Sequence, residues 1–163
     1  MASDGYSASP AKVALESSRE VPMQRSNSDG WKIVLWLFAL LNLANGLWML
    51  ADPSGWYSGI PAAVPDSGPL NEHFVRDLGS TFVTLGVALY WAGLRPPFRA
   101  PLVGVVALFL SLHALVHVYD TLRGLLPTSH WLIDFPAVYL PTGILIAIFF
   151  FFAQGSAESR FKT

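Results

Sequence analysis

Four long apolar runs, each closed by proline, glycine or a charged residue, constrain this chain more than any other feature. The first, Ile33 to Ala51, carries no charge over nineteen residues. At about 1.5 Å per residue it nearly crosses a hydrocarbon layer roughly 30 Å thick. Asp52-Pro53 ends it, because the residue before proline is pushed out of helical geometry. A second helix is predicted from Leu70 to Leu94, stopped by Pro96-Pro97, and a third from Pro101 to about Leu122. The fourth opens at Thr128 or Ser129, both good N-cap types, and runs to about Ala153. Pro136 and Pro141 fall inside it, and each removes a backbone donor, so a kink is expected there. The expected fold is all-α, a four-helix transmembrane bundle of up-down-up-down order with helices near 31–51, 70–94, 101–122 and 129–153. Residues 31–154 would form the membrane domain, between a disordered cytoplasmic tail at 1–30 and a short cytoplasmic tail at 155–163.

Composition supports a lipid-facing surface. Charged residues make up 13% of the chain, about half the roughly 25% of a soluble domain. A formal net charge of −1 leaves no basic field for phosphates, which argues against nucleic acid as a partner. The absence of cysteine excludes disulfides, thiolate metal sites and a cysteine nucleophile. The apolar run begins too far from Met1, and is too long, for a secretory signal. Basic residues fix the expected orientation. Lys12, Arg19, Arg25, Lys32, Arg95, Arg99, Arg160 and Lys162 would share one side, against Arg76 and Arg123 on the other. The positive-inside rule then puts both termini in the cytoplasm.

Ionisable residues at membrane depth are costly, so their placement carries the functional signal. His73 and Asp77 stack one helical turn apart on the second helix, and His113, His117 and Asp120 share a face of the third. His130 and Asp134 do the same on the fourth, while Asn42 and Asn45 lie on the first. With alternating helix directions all these groups are expected at the outer end of the bundle. Imidazole with carboxylate suits Zn, Fe, Mn or Cu(II), whereas Cu(I) would want sulfur ligands. The expected metal ligands are His73, Asp77, His113, His117 and Asp120. His130, Asp134, Asn42 and Asn45 are expected to form a second metal position or to orient the ligands by hydrogen bonds. Haem is disfavoured, since it would need imidazoles from two helices, such as His73 and His113. A metal with an open position would allow an enzyme, but nothing in the sequence names a reaction. No phosphate-binding glycine loop and no G-x-S-x-G turn occurs. The alternative is a non-enzymatic scaffold or subunit in which the His/Asp cluster is a structural hydrogen-bond network. Gly79, Gly86 and Gly93 recur every seven residues on the second helix and are expected to serve packing.

The segment Asn71-Glu72-His73-Phe74-Val75-Arg76-Asp77-Leu78-Gly79, preceded by Pro65-Asp66-Ser67-Gly68-Pro69, resembles a pattern of small, uncharacterised four-helix integral membrane proteins of bacteria. That resemblance implies a multi-pass protein of the bacterial inner membrane and supplies no activity. The lipid bilayer is the expected partner, and a homo-oligomer or a membrane partner protein is left open.

Overall fold

The computed structural model describes residues 23–160, with side chains from 30 to 154. The described residues form an all-α fold. In chain order they form α1 (Met23–Ala51), α2 (Pro53–Gly59), a 3-10 turn (Val64–Ser67), α3 (Glu72–Leu94), a second 3-10 turn (Pro96–Phe98), α4 (Arg99–Leu122), α5 (His130–Ile133), a π-helical segment (Phe135–Tyr139) and α6 (Leu140–Arg160). Helix α1 starts at Met23, so the last part of the expected tail is helical, and α6 runs on through 155–160. The rest of that tail, 1–22, and residues 161–163 lie outside the described residues.

Local chemistry explains the boundaries. Asp52 leaves α1 and caps α2, accepting from the Gly55 N–H at 2.9 Å, with Pro53 in the first helical position. Asn71 caps α3 by accepting from the Phe74 N–H at 3.1 Å. The expected single fourth helix is instead divided. Pro136 and Pro141 withdraw two N–H donors, and the Asp134 carbonyl accepts from both Val138 N–H (2.7 Å) and Tyr139 N–H (3.3 Å). That shared acceptor opens the π turn between α5 and α6. The Pro/Gly-rich segment after α1 contains α2 and a 3-10 turn, which together cap one end of the helices.

Neighbouring long helices run in opposite directions. Along α1 and α3, Gly46 meets Gly79, Leu43 meets Gly86, and Trp36 meets Gly93. A Cβ at Gly46 would stand 2.6 Å from the Gly79 carbonyl oxygen and 2.8 Å from the Val83 nitrogen, so here backbone touches backbone. Such closeness matters in lipid, where tails are as apolar as leucine and helix association depends on packing rather than on water exclusion. Phe82 of α3 packs edge-on against Phe109 of α4, and the Arg99 side chain donates to the Ala92 carbonyl at 3.3 Å. Gly104 of α4 lies under the Phe149 ring of α6, and Thr142 Oγ1, which donates to the Val138 carbonyl at 2.6 Å, lies 3.4 Å from the Leu110 carbonyl. Trp31 of α1 reaches Phe151 and Phe152 of α6.

The main core gathers Leu35, Leu85, Leu89, Val106, Leu110 and Leu145 from these four helices. A second, smaller one, Met49, Trp56 and Val75, sits under the α2 cap. Large aliphatic side chains remain on the outside, including Ile33 at 68%, Leu40 at 62% and Leu108 at 61% exposure. Three helical stretches, Gly30–Ala51, Pro96–Leu122 and Phe135–Gln154, are long and apolar enough to cross a membrane. A belt of exposed aliphatics on such helices is what a lipid solvent requires.

Candidate functional site

The inward stripe of α4 is apolar for most of its length, through Val103, Val106, Ala107 and Leu110. In its last turns the same stripe becomes polar, at His113, His117 and Thr121. Opposite them stands Asp134, held at the junction of α5 and the π turn and only 1% exposed. Its Oδ2 lies 2.8 Å from His117 Nδ1 and 3.2 Å from His130 Nδ1. His130, itself 2% exposed, places its other nitrogen, Nε2, 3.3 Å from the Asp66 carboxylate on the first 3-10 turn. Asp66, His130, Asp134 and His117 thus form one continuous chain of carboxylate and imidazole groups.

Hydrogen-bond capacity fixes what this chain can hold. Each of its three links needs one proton, and ionised carboxylates supply none. Both ring nitrogens of His130 face carboxylate oxygens, Nδ1 that of Asp134 at 3.2 Å and Nε2 that of Asp66 at 3.3 Å. His117 donates from Nδ1, so in its neutral form its Nε2 keeps a lone pair. The His113 ring lies 4.8 Å from that of His117, stacked on Phe109 and edge-on to Phe82. Two buried hydroxyls in the same region, Thr121 Oγ1 and Tyr139 OH, have no hydrogen-bond partner among the described residues.

The structure gathers four of the groups expected from sequence: His113, His117, His130 and Asp134. Others lie elsewhere. His73 and Asp77 pair with each other at 3.4 Å on an outward face of α3, with side chains 89% and 66% exposed. Asp120 sits 4.0 Å from Arg123, one turn along its own helix. Asn42 is spent on its own helix, donating to the Phe38 carbonyl at 2.8 Å. Asn45 accepts from Trp56 Nε1 at 2.9 Å and so pins the α2 cap onto α1. Asp66 has a role that sequence reasoning missed, because a single carboxylate in a Pro/Gly-rich turn has no periodic partner. Its one local signal is the turn composition around it.

The metal expectation meets a geometric obstacle. Among the described residues no group of three or more His, Cys, Asp or Glu side chains is arranged to hold a metal ion. The reason is visible in the links. Both Nδ1 atoms of His117 and His130 face Asp134, and His130 Nε2 faces Asp66, so three of their four ring nitrogens are engaged.

Three apolar helices of membrane-crossing length, with an imidazole–carboxylate chain at one end of the fold, define a multi-pass membrane protein. The chain belongs to the family described as a domain of unknown function, DUF4345, whose match covers residues 31–135. That match runs from within α1 past Asp134 and includes every member of the imidazole–carboxylate chain. No curated protein and no solved structure matches.

Proposed function

We propose that this is a four-span membrane protein with up-down-up-down order, both termini cytoplasmic, and a non-enzymatic role as a scaffold or subunit. Helix α3 runs antiparallel to α1 from Gly79 to Gly93, beside a helix that is itself long enough to cross. Lys32, Arg95 and Arg99 lie at the end opposite the His/Asp chain, which suits a cytoplasmic basic face. The observation that carries the reading is His130: a buried imidazole with both nitrogens committed, linking Asp66 of the cap to Asp134 of the bundle. A residue so fully engaged ties the cap to the bundle.

The outer link is the weaker one. The Asp66 side chain is 44% exposed, so its pairing with His130 is worth about 1 kcal/mol or less. Asp66→Asn is therefore expected to free the 61–69 segment locally while the bundle stays folded. Limited proteolysis from the non-cytoplasmic side checks this, with faster cleavage in that segment expected for the variant at an unchanged unfolding temperature. Equal cleavage of the unaltered protein would remove the clasp reading.

A second reading keeps the metal in narrower form. His117 Nε2, backed by Asp134 on Nδ1, stands beside His113, and two imidazoles one turn apart can share a Zn, Fe, Mn or Cu(II) ion. The remaining ligands would come from water. Elemental analysis of detergent-purified protein is expected to show metal that His113→Ala/His117→Ala loses. A metal-free unaltered protein after reconstitution ends this reading.

A further inference from the structure

The two ends of the fold treat charge differently. Every carboxylate with a described side chain, Asp52, Asp66, Glu72, Asp77, Asp120 and Asp134, belongs to the end that carries the His/Asp chain. The arginines of that end are paired, Arg76 with Glu72 at 3.1 Å and Arg123 with Asp120 at 4.0 Å. At the opposite end Lys32 and Arg95 have no carboxylate within ion-pair distance among the described residues. Arg99, at the same end, is turned inward onto the Ala92 carbonyl and the Phe152 ring. The flanking stretches 23–29 and 155–163 add Arg25, Arg160 and Lys162 against Asp29 and Glu158, so they do not restore the balance. Half-buried Lys32 is also held in place. Its ammonium lies 4.4 Å from the centroid of the Trp36 ring. Trp36 stacks on Tyr90 at 5.4 Å and donates from Nε1 to the Tyr90 carbonyl at 3.2 Å. Gly93 admits that indole, because a Cβ there would stand 2.6 Å from Trp36 Nε1. Since α1 and α3 are antiparallel, Lys32, one turn before Trp36, and Arg95, just after Gly93, advance beyond this contact towards the same end.

We propose that Lys32 and Arg95, where α1 meets the end of α3, bind the phosphate of an anionic phospholipid of the cytoplasmic leaflet. The inference rests on α1 and α3 crossing the bilayer, which brings both cations to headgroup level. The Trp36 ring fixes the Lys32 ammonium before any ligand arrives, so less side-chain freedom is lost on binding. Arg95, exposed at the end of α3, offers a planar fork of donors that matches phosphate oxygens. Two cations without a carboxylate suit a net-negative lipid better than a zwitterionic one, whose headgroup brings its own cation. The chain as a whole carries −1, so the attraction comes from where its charges sit and not from their sum. Exposed apolar surface continues from the headgroup site along both helices. Leu40 follows Lys32 and Trp36 at four-residue steps on α1, and Val87 lies one turn from Tyr90 on α3, a path for acyl chains. Trp91 and Phe98, with rings 6.2 Å apart and about half exposed, flank Arg95 in sequence as an interfacial aromatic pair.

Native mass spectrometry of the detergent-purified full chain, titrated with phosphatidylglycerol or phosphatidylcholine, tests the assignment. Tighter retention of phosphatidylglycerol is expected. Lys32→Gln and Arg95→Gln should each weaken it about fivefold. Trp36→Leu keeps every charge and should still weaken it about twofold to fivefold, because the platform under Lys32 is gone. Arg76→Gln and Arg123→Gln remove the same charge from the paired end and should leave retention unchanged. A loss as large in those two variants, or no preference between the lipids, overturns the site. Glycerol 3-phosphate that displaces the lipid at equal concentration would make the ligand a free phosphate and overturn the lipid assignment. Detergent exposes both ends of the fold, so the result does not depend on which side the termini face. Release of the protein from membranes by alkaline carbonate would overturn the spans and this site with them. Protein that stays in the membrane but shows no lipid preference would overturn the site alone.

Discussion

Asp134→Ala is expected to cost about 3–5 kcal/mol, a large part of the total stability of a domain this size. The carboxylate is 1% exposed and accepts from two imidazoles on different helical segments. Removing it leaves the ring nitrogens of buried His130 and half-buried His117 without an acceptor, and the loss at a buried group costs about 1–3 kcal/mol. Asp134→Asn should be milder, about 1–3 kcal/mol, because the amide keeps one acceptor oxygen. Its NH2 can face the second imidazole, which would accept through an unprotonated nitrogen. Thermal unfolding in detergent, followed by circular dichroism, should rank the three proteins as unaltered, Asn, Ala. If Ala and Asn both unfold with the unaltered protein, the imidazole–carboxylate chain contributes nothing to holding the bundle end.

The second large effect belongs to the α1–α3 contact. Gly46→Ala is expected to destabilise by about 2–3 kcal/mol, near the upper end for overpacking. The new methyl would meet the Gly79 carbonyl oxygen and the Val83 nitrogen, and neither is the end of a side chain that can swing away. The two helices must separate, and lipid supplies no compensating pressure to hold them. Gly143→Ala gives the opposite sign. A Cβ there meets nothing within 4 Å, so the variant should be more stable by about 0.5–1 kcal/mol through lower backbone entropy in the unfolded chain. The pair of unfolding midpoints checks both. Equal midpoints for the two variants would mean that close backbone approach does not hold α1 to α3.

Much of the helical layout was legible because its causes are local. Asp52-Pro53 marks a boundary through capping and proline sterics, and it acts where the sequence places it, whereas the helix expected from Leu70 starts at Glu72 behind the Asn71 cap. The glycines of α3 were legible as packing residues, since a seven-residue repeat puts all three on one side. Less was legible in the fourth segment. Two prolines predicted a kink, but the π turn depends on one carbonyl serving two N–H groups, which spacing alone does not reveal.

The candidate site divides along the same line. His113 and His117 continue the buried stripe of α4, so their inward placement follows from the apolar residues before them. His73 and Asp77 have the same four-residue spacing yet face outward, because the glycines on the other side of α3 took the contact with α1. Asp66 lies 64 residues from His130, in a turn with no period to read.

Sequence alone determined that the chain is helical and enters lipid. Apolar runs of that length leave no water for their backbone groups, so each run must satisfy them internally. Sequence also determined which residues share a helix face. The tertiary structure alone decided which of those faces meet one another, joining Asp66, His130, Asp134 and His117 and leaving the His73 stripe outside. Helical spacing fixes a direction relative to one axis, and the neighbour in that direction is set by how all the helices pack together.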